Sequence, residues 1–466
     1  MLRPHLRSVT TDGLNAPITF AAPLSVPSTR RGAASLSLHH FAPKTKNRRV
    51  PRSNVAAPDE HRPNRVAIIG GGLAGMATAY HLLNSTARYA KKRAFSHTDL
   101  RLTIFDPAEP GSGGASAAAA GLLHPFTPRM KKRVWAPLKS INATVHLVEQ
   151  AQSCSQQPLI AYPGILRLAL HEKQHNDFRI AAHRFPDELE LLQPNQVADR
   201  FPHLIQNVSA IFLKKAAVVD TPAYLQALWR LCQQSERIEW RRQAVHDVRH
   251  ILGNDTASFD TVVICAGAAI PTIEGLSHVP LRLCRGQNLL LKPREQSYAH
   301  ETPVISGKYV VPDLFGHTPG QQIVAGATFE YDYQEDNPET FTQHLCKRDT
   351  DRALAELKQP LHDIAPGLID KCTVHGTSSG TRALPPRSAD GSIPIVCKLS
   401  GTDRNTSCWL FSGLGSRGVL HHAYLARMLA HAIVAGNERL IPVDARRLQL
   451  SLPLSEVERT VAACHG

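Results

Sequence analysis

Residues 65–83 read RVAIIGGGLAGMATAYHLL, and the fold is decided here. Val66, Ala67, Ile68 and Ile69 form an apolar run, Gly70-x-Gly72-x-x-Gly75 follows, and Ala74, Ala77, Tyr80 and Leu82 then recur at helical spacing. The pattern predicts a buried strand, a tight turn and a helix whose first free N–H groups converge on one point. Gly70 would make the bend, Gly72 would let a pyrophosphate touch the backbone, and Gly75 would let helix and strand pack closely, with Gly71 and Ala74 as small neighbours. Leu102-Thr-Ile-Phe-Asp106 predicts a second strand ending in an acid placed to accept a hydrogen bond from a ribose 2′-OH. Asp106 lies 31 residues after Gly75, against a usual spacing of about 20. The basic stretch 85–99, with Lys91-Lys92-Arg93, accounts for the excess as a loop insertion. A dinucleotide site is the expectation; a glycine-rich turn without a ligand is the bland alternative.

A chain of 466 residues is too long for one simple core, and two domains are expected. Hydrophobic residues at 42% and charged residues at 20% are ordinary for a soluble globular protein, and no run is long enough to cross a bilayer. Nine scattered cysteines without C-x-x-C suit a reducing compartment and give no metal site. The 24 histidines include no H-E-x-x-H or comparable cluster. The formal charge of +14 would point to nucleic acid, but residues 1–65 hold 11 Lys/Arg and 3 Asp/Glu against 42 and 36 in the rest, so more than half of the excess sits at the N-terminus. Residues 1–62 are rich in Arg, Ser, Ala and Pro and poor in acids. They are expected to be disordered and to act as an organellar transit peptide, for chloroplast or mitochondrion, the alternative being an ordinary tail on a cytoplasmic protein.

Further along, Gly111-Ser-Gly-Gly-Ala-Ser116 opens a small-residue run that ends in Leu122-Leu123-His124-Pro125 and is suited to a second close approach to an extended cofactor. Val134, Leu138, Ile141, Val145 and Val148 predict a packed amphipathic helix. Thr221 and Pro222 mark a helix start, Glu239 to Val248 alternates like a strand, and 260–268, DTVVICAGA, predicts a third parallel strand. The nucleotide-binding part is therefore discontinuous. Arg282 to Lys292, Pro303 to Pro312 and Gln321 to Phe329 predict an antiparallel sheet in a second domain. Trp409 to Gly418 repeats the opening logic, with a helix from Val419 to Ala435 and Gly436 at its C′ position. That helix N-terminus would help a reduced flavin carry negative charge.

These motifs together resemble the FAD-dependent D-amino acid oxidase superfamily, which includes glycine and sarcosine oxidases. Most similar is the FAD domain of the bacterial enzyme that trims carboxymethylaminomethyl-uridine in tRNA, with its stand-alone plant and algal relatives. The resemblance runs over roughly 64–440 through VAIIGGGLAGMATAYHL, IFDP, GASAAAAGLLHP, AVVDTPAYLQAL, FDTVVICAGA, LRLCRGQNLLL, GATFE, GTRALPPRSADGSIPIV and SGLGSRGVLHHA, in family order. It implies an α/β fold: a discontinuous Rossmann-like FAD domain (63–125, 210–280 and 370–450) with an inserted antiparallel-sheet substrate domain (126–209 and 281–369) and a tail from 451 to 466. It further implies Gly70, Gly72 and Gly75 at the ADP pyrophosphate, Asp106 at the ribose, Ser116 along the pyrophosphate and ribityl chain, Val245 with its backbone at adenine, and Ala266-Gly267 closing the cleft. Gly413, Gly415, Ser416, Arg417 and Gly418 would meet the flavin pyrimidine edge.

The same resemblance matches Arg382 to the arginine that pairs with a substrate carboxylate, and His124, Tyr309 and Arg417 fall near the flavin face. It implies a noncovalent FAD and oxidation of an amine or amino acid to an imine by hydride transfer. No lysine occurs in 322–328, QIVAGAT, so the electron acceptor stays open between oxygen and another partner. Three alternatives remain: a tRNA wobble-uridine oxidoreductase, with tRNA as partner; a non-catalytic flavoprotein assembly factor; and a nicotinamide-dependent dehydrogenase.

Overall fold

The computed structural model describes residues 65–92, 100–252, 259–295, 302–316, 322–331, 348–401 and 406–452, all in the unit Asp59–Gly466. The expected transit segment, Arg93 of the basic loop and most of the C-terminal tail lie outside the described residues.

Val66 and Ile68 pack on one side of the strand Arg65–Ile69 while Ala67 and Ile69 pack on the other, so the strand is apolar throughout because both faces are covered. It sits inside a six-stranded sheet ordered Ile395–Leu399, Ser407–Ser412, Thr261–Ile264, Arg65–Ile69, Arg101–Phe105, Ile238–Arg241. All neighbours are parallel except the edge pair Ile395–Leu399 and Ser407–Ser412. The helices Leu73–Lys92, Pro137–Gln152, Thr221–Gln233 and Gly418–Val434 cover one face.

A second sheet has eight strands, in the order Cys372–Leu384, Arg282–Pro293, Ile323–Gly326, Lys308–Pro312, Val304–Ser306, Ile165–Leu168, Ala210–Leu213, Leu189–Leu192. Its one parallel pairing joins Val304–Ser306 to Ile165–Leu168, and the helix Thr350–His362 shares the apolar cluster on one of its faces. The chain thus alternates between a parallel and an antiparallel sheet, as the resemblance implied.

Several local expectations are corrected. Cys372–Leu384 and Ala210–Leu213, grouped by sequence with the nucleotide-binding segments, run in the eight-stranded sheet, because each finds its ladder partners there. The alternation from Glu239 to Val248 yields a strand only over Ile238–Arg241, followed by a short 3-10 turn at Val248–His250. Asp220, not Thr221, caps the helix Thr221–Gln233, its carboxylate accepting the Ala223 N–H at 3.0 Å. The helix expected from Val134 begins at Pro137, and Leu138 is 58% exposed. Its buried face includes Ser140 and Thr144, which bond to His421 and to the carbonyls of Val419 and Leu420.

Candidate active site

The first turn is held by contacts that leave no room for larger residues. Gly70 has φ +102°, and a Cβ there would stand 2.5 Å from the Cys265 carbonyl oxygen. At Gly75 a Cβ would collide with the Gly70 carbonyl, which is the close helix–strand packing read from the sequence. Asp106 ends the neighbouring strand, and its carboxylate accepts the N–H of Gly71 at 2.7 Å and of Ala108 at 2.8 Å. Burial raises its pKa, and the two N–H bonds oppose the rise. Each carboxylate oxygen keeps a lone pair for a further donor. Trp240 lies under Gly71, and its indole N–H donates to the Ala108 carbonyl at 3.1 Å.

Ser116 comes from the short helix Gly114–Ala117, and its Oγ accepts the Leu73 N–H at 3.1 Å. A Cβ on Gly72 would meet only this side chain, with Oγ at 2.9 Å. The space in front of the turn is otherwise open, the arrangement that backbone contact with a pyrophosphate needs. Ala266 follows the strand Thr261–Ile264, its Cα 2.9 Å from a Cβ built on Gly70, with Gly267 next to it at φ +56°. Val245 lies beyond the strand Ile238–Arg241 and packs partly buried in the cluster that holds Phe105, Val262 and Ile264.

One cavity joins Leu73 and Ser116 to the second sheet: Tyr309, Arg382 and Ser416 also line it, with Gly415 and Gly418, while Gly70, Gly72, Asp106, Val245, Ala266 and Gly267 do not. The late glycine turn, with Gly415 at φ +53°, and Leu73 of the early turn line this same space. A larger cleft of about 1080 Å³ lies alongside, and Arg382, Leu414, Gly415 and Ser416 border both. Arg382 is at the junction.

Arg382 projects from the long strand Cys372–Leu384 opposite Cys284. Its Nη2 donates to the Thr328 carbonyl at 3.3 Å and lies 3.6 Å from Cys284 Sγ, and the guanidinium stands 4.9 Å over the Phe329 ring. Among the described residues it has no carboxylate within ion-pair distance. Thr328 is fixed in turn by a buried network: its hydroxyl accepts the Gln287 N–H at 2.8 Å and donates to Glu330 at 2.9 Å, and Glu330 pairs with Arg285 at 2.7 Å.

Tyr309 donates its O–H to Asn288 Oδ1 at 2.6 Å, and burial pushes its pKa up to about 12, so it stays a neutral donor. Asn288 also donates to the Ala118 carbonyl at 2.8 Å and to Ser378 at 3.1 Å, tying the small-residue run to the antiparallel sheet. His124 borders neither cavity; it is buried, its Nδ1 accepts the Phe126 N–H at 3.3 Å, and desolvation with Arg417 and Arg167 nearby holds its pKa well below the ordinary value. Arg417 borders the large cleft and donates to the Phe126 carbonyl at 2.9 Å. Asn288 and Gly286 were missed in the sequence. Asn288 had a signal, a polar residue inside the run LCRGQNLLL.

The model of the FAD dependent oxidoreductase (DAO) family matches residues 65–432. The chain belongs to this family. This FAD-dependent oxidoreductase is 24% identical over 394 residues to the uncharacterized oxidoreductase YurR of Bacillus subtilis, covering 80% of this chain and 95% of that one. It is 28% identical over 311 residues to the tRNA 5-methylaminomethyl-2-thiouridine biosynthesis bifunctional protein MnmC of Paraburkholderia phytofirmans, covering 63% of this chain and 43% of that protein. Iminodiacetate oxidase from Chelativorans sp. BNC1 shares the fold with a TM-score of 0.63 at 22% identity, over 84% of this chain and 100% of that one. FAD is the cofactor, and the nicotinamide alternative falls with the family assignment.

Proposed function

We propose that this FAD-dependent oxidoreductase oxidises the C–N bond of an amine or amino acid that carries a carboxylate. The carrying observation is the Arg382 guanidinium, unpaired by any carboxylate among the described residues and standing where the two cavities meet. FAD, when bound, supplies a two-electron acceptor for the hydride leaving the carbon next to the amine nitrogen. The nitrogen loses a proton, C=N forms, and water hydrolyses the resulting imine.

The protein's part is placement. The turns at Gly70–Gly75 and Gly413–Gly418, with Asp106 and Ser116, would hold the dinucleotide noncovalently, and Arg382 would take both carboxylate oxygens in its planar fork. Tyr309, neutral and with its one O–H given to Asn288, would present only a lone pair at this wall of the cavity and would not abstract a proton. Thr328, braced by Glu330, fixes the direction of the guanidinium. That fixed direction is the protein's contribution to rate, since orientation of the reacting carbon is worth several kcal/mol.

Mixing the purified yellow protein anaerobically with glycine, sarcosine or proline is expected to bleach the flavin band. Bleaching by none of a broad panel of carboxylate-bearing amines would remove this reading and leave a non-catalytic flavoprotein. A narrower reading, oxidation of a tRNA wobble-uridine side chain, is favoured by the likeness to MnmC, a bifunctional protein of tRNA 5-methylaminomethyl-2-thiouridine biosynthesis. Bleaching by tRNA, and not by free amino acids, would support it. Whether oxygen accepts the electrons is read from the reoxidation rate of the reduced protein in air.

A further inference from the structure

The large cleft is strongly and one-sidedly charged. Lys132, Arg282, Arg382, Arg387 and Arg417 border it, and Asp390 is the only carboxylate among its described lining residues. None of the five cations has a carboxylate within ion-pair distance among the described residues. Some cations outside the cleft are paired: Lys131 reaches Asp177 at 3.0 Å, Arg242 reaches Glu109 at 3.0 Å and Arg241 reaches Glu239 at 2.7 Å. Lys131 and Lys132 are adjacent, and the one facing the cleft is the unpaired one. Behind Arg417 lies Arg167, buried, with the Pro128 carbonyl at 3.1 Å as its partner and its Nε unbonded. The positive charge of the cleft wall is therefore not cancelled from beneath.

Lys132, Arg282 and Arg387 are exposed; like charges gathered around one concave space repel one another, and an anion between them relieves that repulsion. One carboxylate can occupy Arg382 alone. We propose that the substrate is an amine bearing two acid groups: one carboxylate at Arg382, and a second anion, carboxylate or phosphate, between Arg282, Arg387 and Lys132. Arg282 is positioned for this by the Tyr331 ring, 4.3 Å below its guanidinium. The inference rests on the amine-oxidation reading for the first carboxylate. A free diacid and the phosphate of a nucleic acid bearing the amine present the same charge to these side chains.

The test uses the FAD-loaded full chain and ethers that cannot lose an amine proton. Methoxyacetate, with one acid, and diglycolate, with two, are titrated calorimetrically at low and moderate ionic strength. Diglycolate is expected to bind at least about tenfold more tightly, as charge-assisted hydrogen bonds to a second carboxylate imply, and the advantage should shrink as salt rises. The double variant Arg282→Gln/Arg387→Gln should bring the ratio of the two dissociation constants towards one, and Arg282→Lys/Arg387→Lys should restore part of it. Equal affinities in the native protein, or a ratio unmoved by the double variant, would overturn the proposal, whether or not any amine bleaches the flavin. Failure of all amines with the ratio intact would overturn only the oxidation reading. Sarcosine, iminodiacetate and bulk tRNA are then compared as anaerobic reductants: faster bleaching by iminodiacetate identifies a free diacid, and bleaching by tRNA alone identifies the nucleic-acid source. Sarcosine outpacing both would count against a second acid.

Discussion

Arg382 carries five N–H donors, and its Nη2 meets a peptide carbonyl and a thiol, the other donors remaining available to a ligand. Replacing it by alanine should raise KM for a carboxylate-bearing amine by about 10- to 100-fold, the size of a lost charge-assisted pair, while FAD stays bound. An equal loss with a carboxylate-free amine would show that the arginine does not read the carboxylate. Gly286 makes a sharper case. A Cβ there would come within 2.6 Å of Arg382 Nη2 and 3.1 Å of the Thr328 carbonyl. The nearer atom is the far end of a long side chain held by one carbonyl bond, so Gly286→Ala should fold and bind FAD but displace the guanidinium and raise the same KM. Unchanged KM would place the guanidinium elsewhere in the working enzyme. Arg382 was legible in the sequence because it sits in a local motif. Gly286 was not, since its importance comes from the cross-strand register that puts Cys284 opposite Arg382.

The helix Gly418–Val434 is buried along most of its length and carries two buried histidines. His422 Nδ1 lies 3.1 Å and 3.0 Å from the carbonyls of Gly418 and Val419, which assigns the proton to Nδ1 and leaves Nε2 to accept the Tyr224 O–H at 3.0 Å. Burial lowers His421 to about 3 and His422 to about 4 from 6.5. Folded-state values below the unfolded one mean that the unfolded chain takes up the protons first. Stability is full above about 6.5 and is lost as pH falls from there towards the folded values. Denaturant unfolding at pH 7.5, 6.5 and 5.5 should show this decline, and His421→Asn/His422→Asn should make it shallower, the remainder coming from the buried His81 and His124. A flat profile in the native chain would contradict the burial account. The apolar positions of this helix were plain in the sequence. Ser140 and Thr144, which serve it from the neighbouring helix, were hidden because polar residues at core positions read as a solvent face until their partners are known.

Segments of both sheets line one cavity, and residues more than three hundred positions apart must arrive together there. On the proposed reading Asp106 and Gly415 hold opposite ends of the dinucleotide, so Asp106→Ala and Gly415→Val should each lower FAD retention on gel filtration. Retention undiminished in either would break the link between that turn and the cofactor. The alternation of sheets was legible from strand spacing and family order. Assignment of Cys372–Leu384 was not, because a 13-residue strand leaves one sheet's sequence neighbourhood for the other's ladder. The basic segment 1–62 is proposed to direct the chain to a chloroplast or mitochondrion. Fused to a fluorescent protein it should give an organellar signal, and a diffuse one would return the chain to the cytoplasm. The most direct test of the whole is anaerobic titration of the FAD-loaded protein with sarcosine, in native form and as Arg382→Ala. The native band should bleach at low substrate and the variant only at far higher concentration; bleaching at the same concentration in both, or in neither, would contradict a carboxylate-guided amine oxidation at this site.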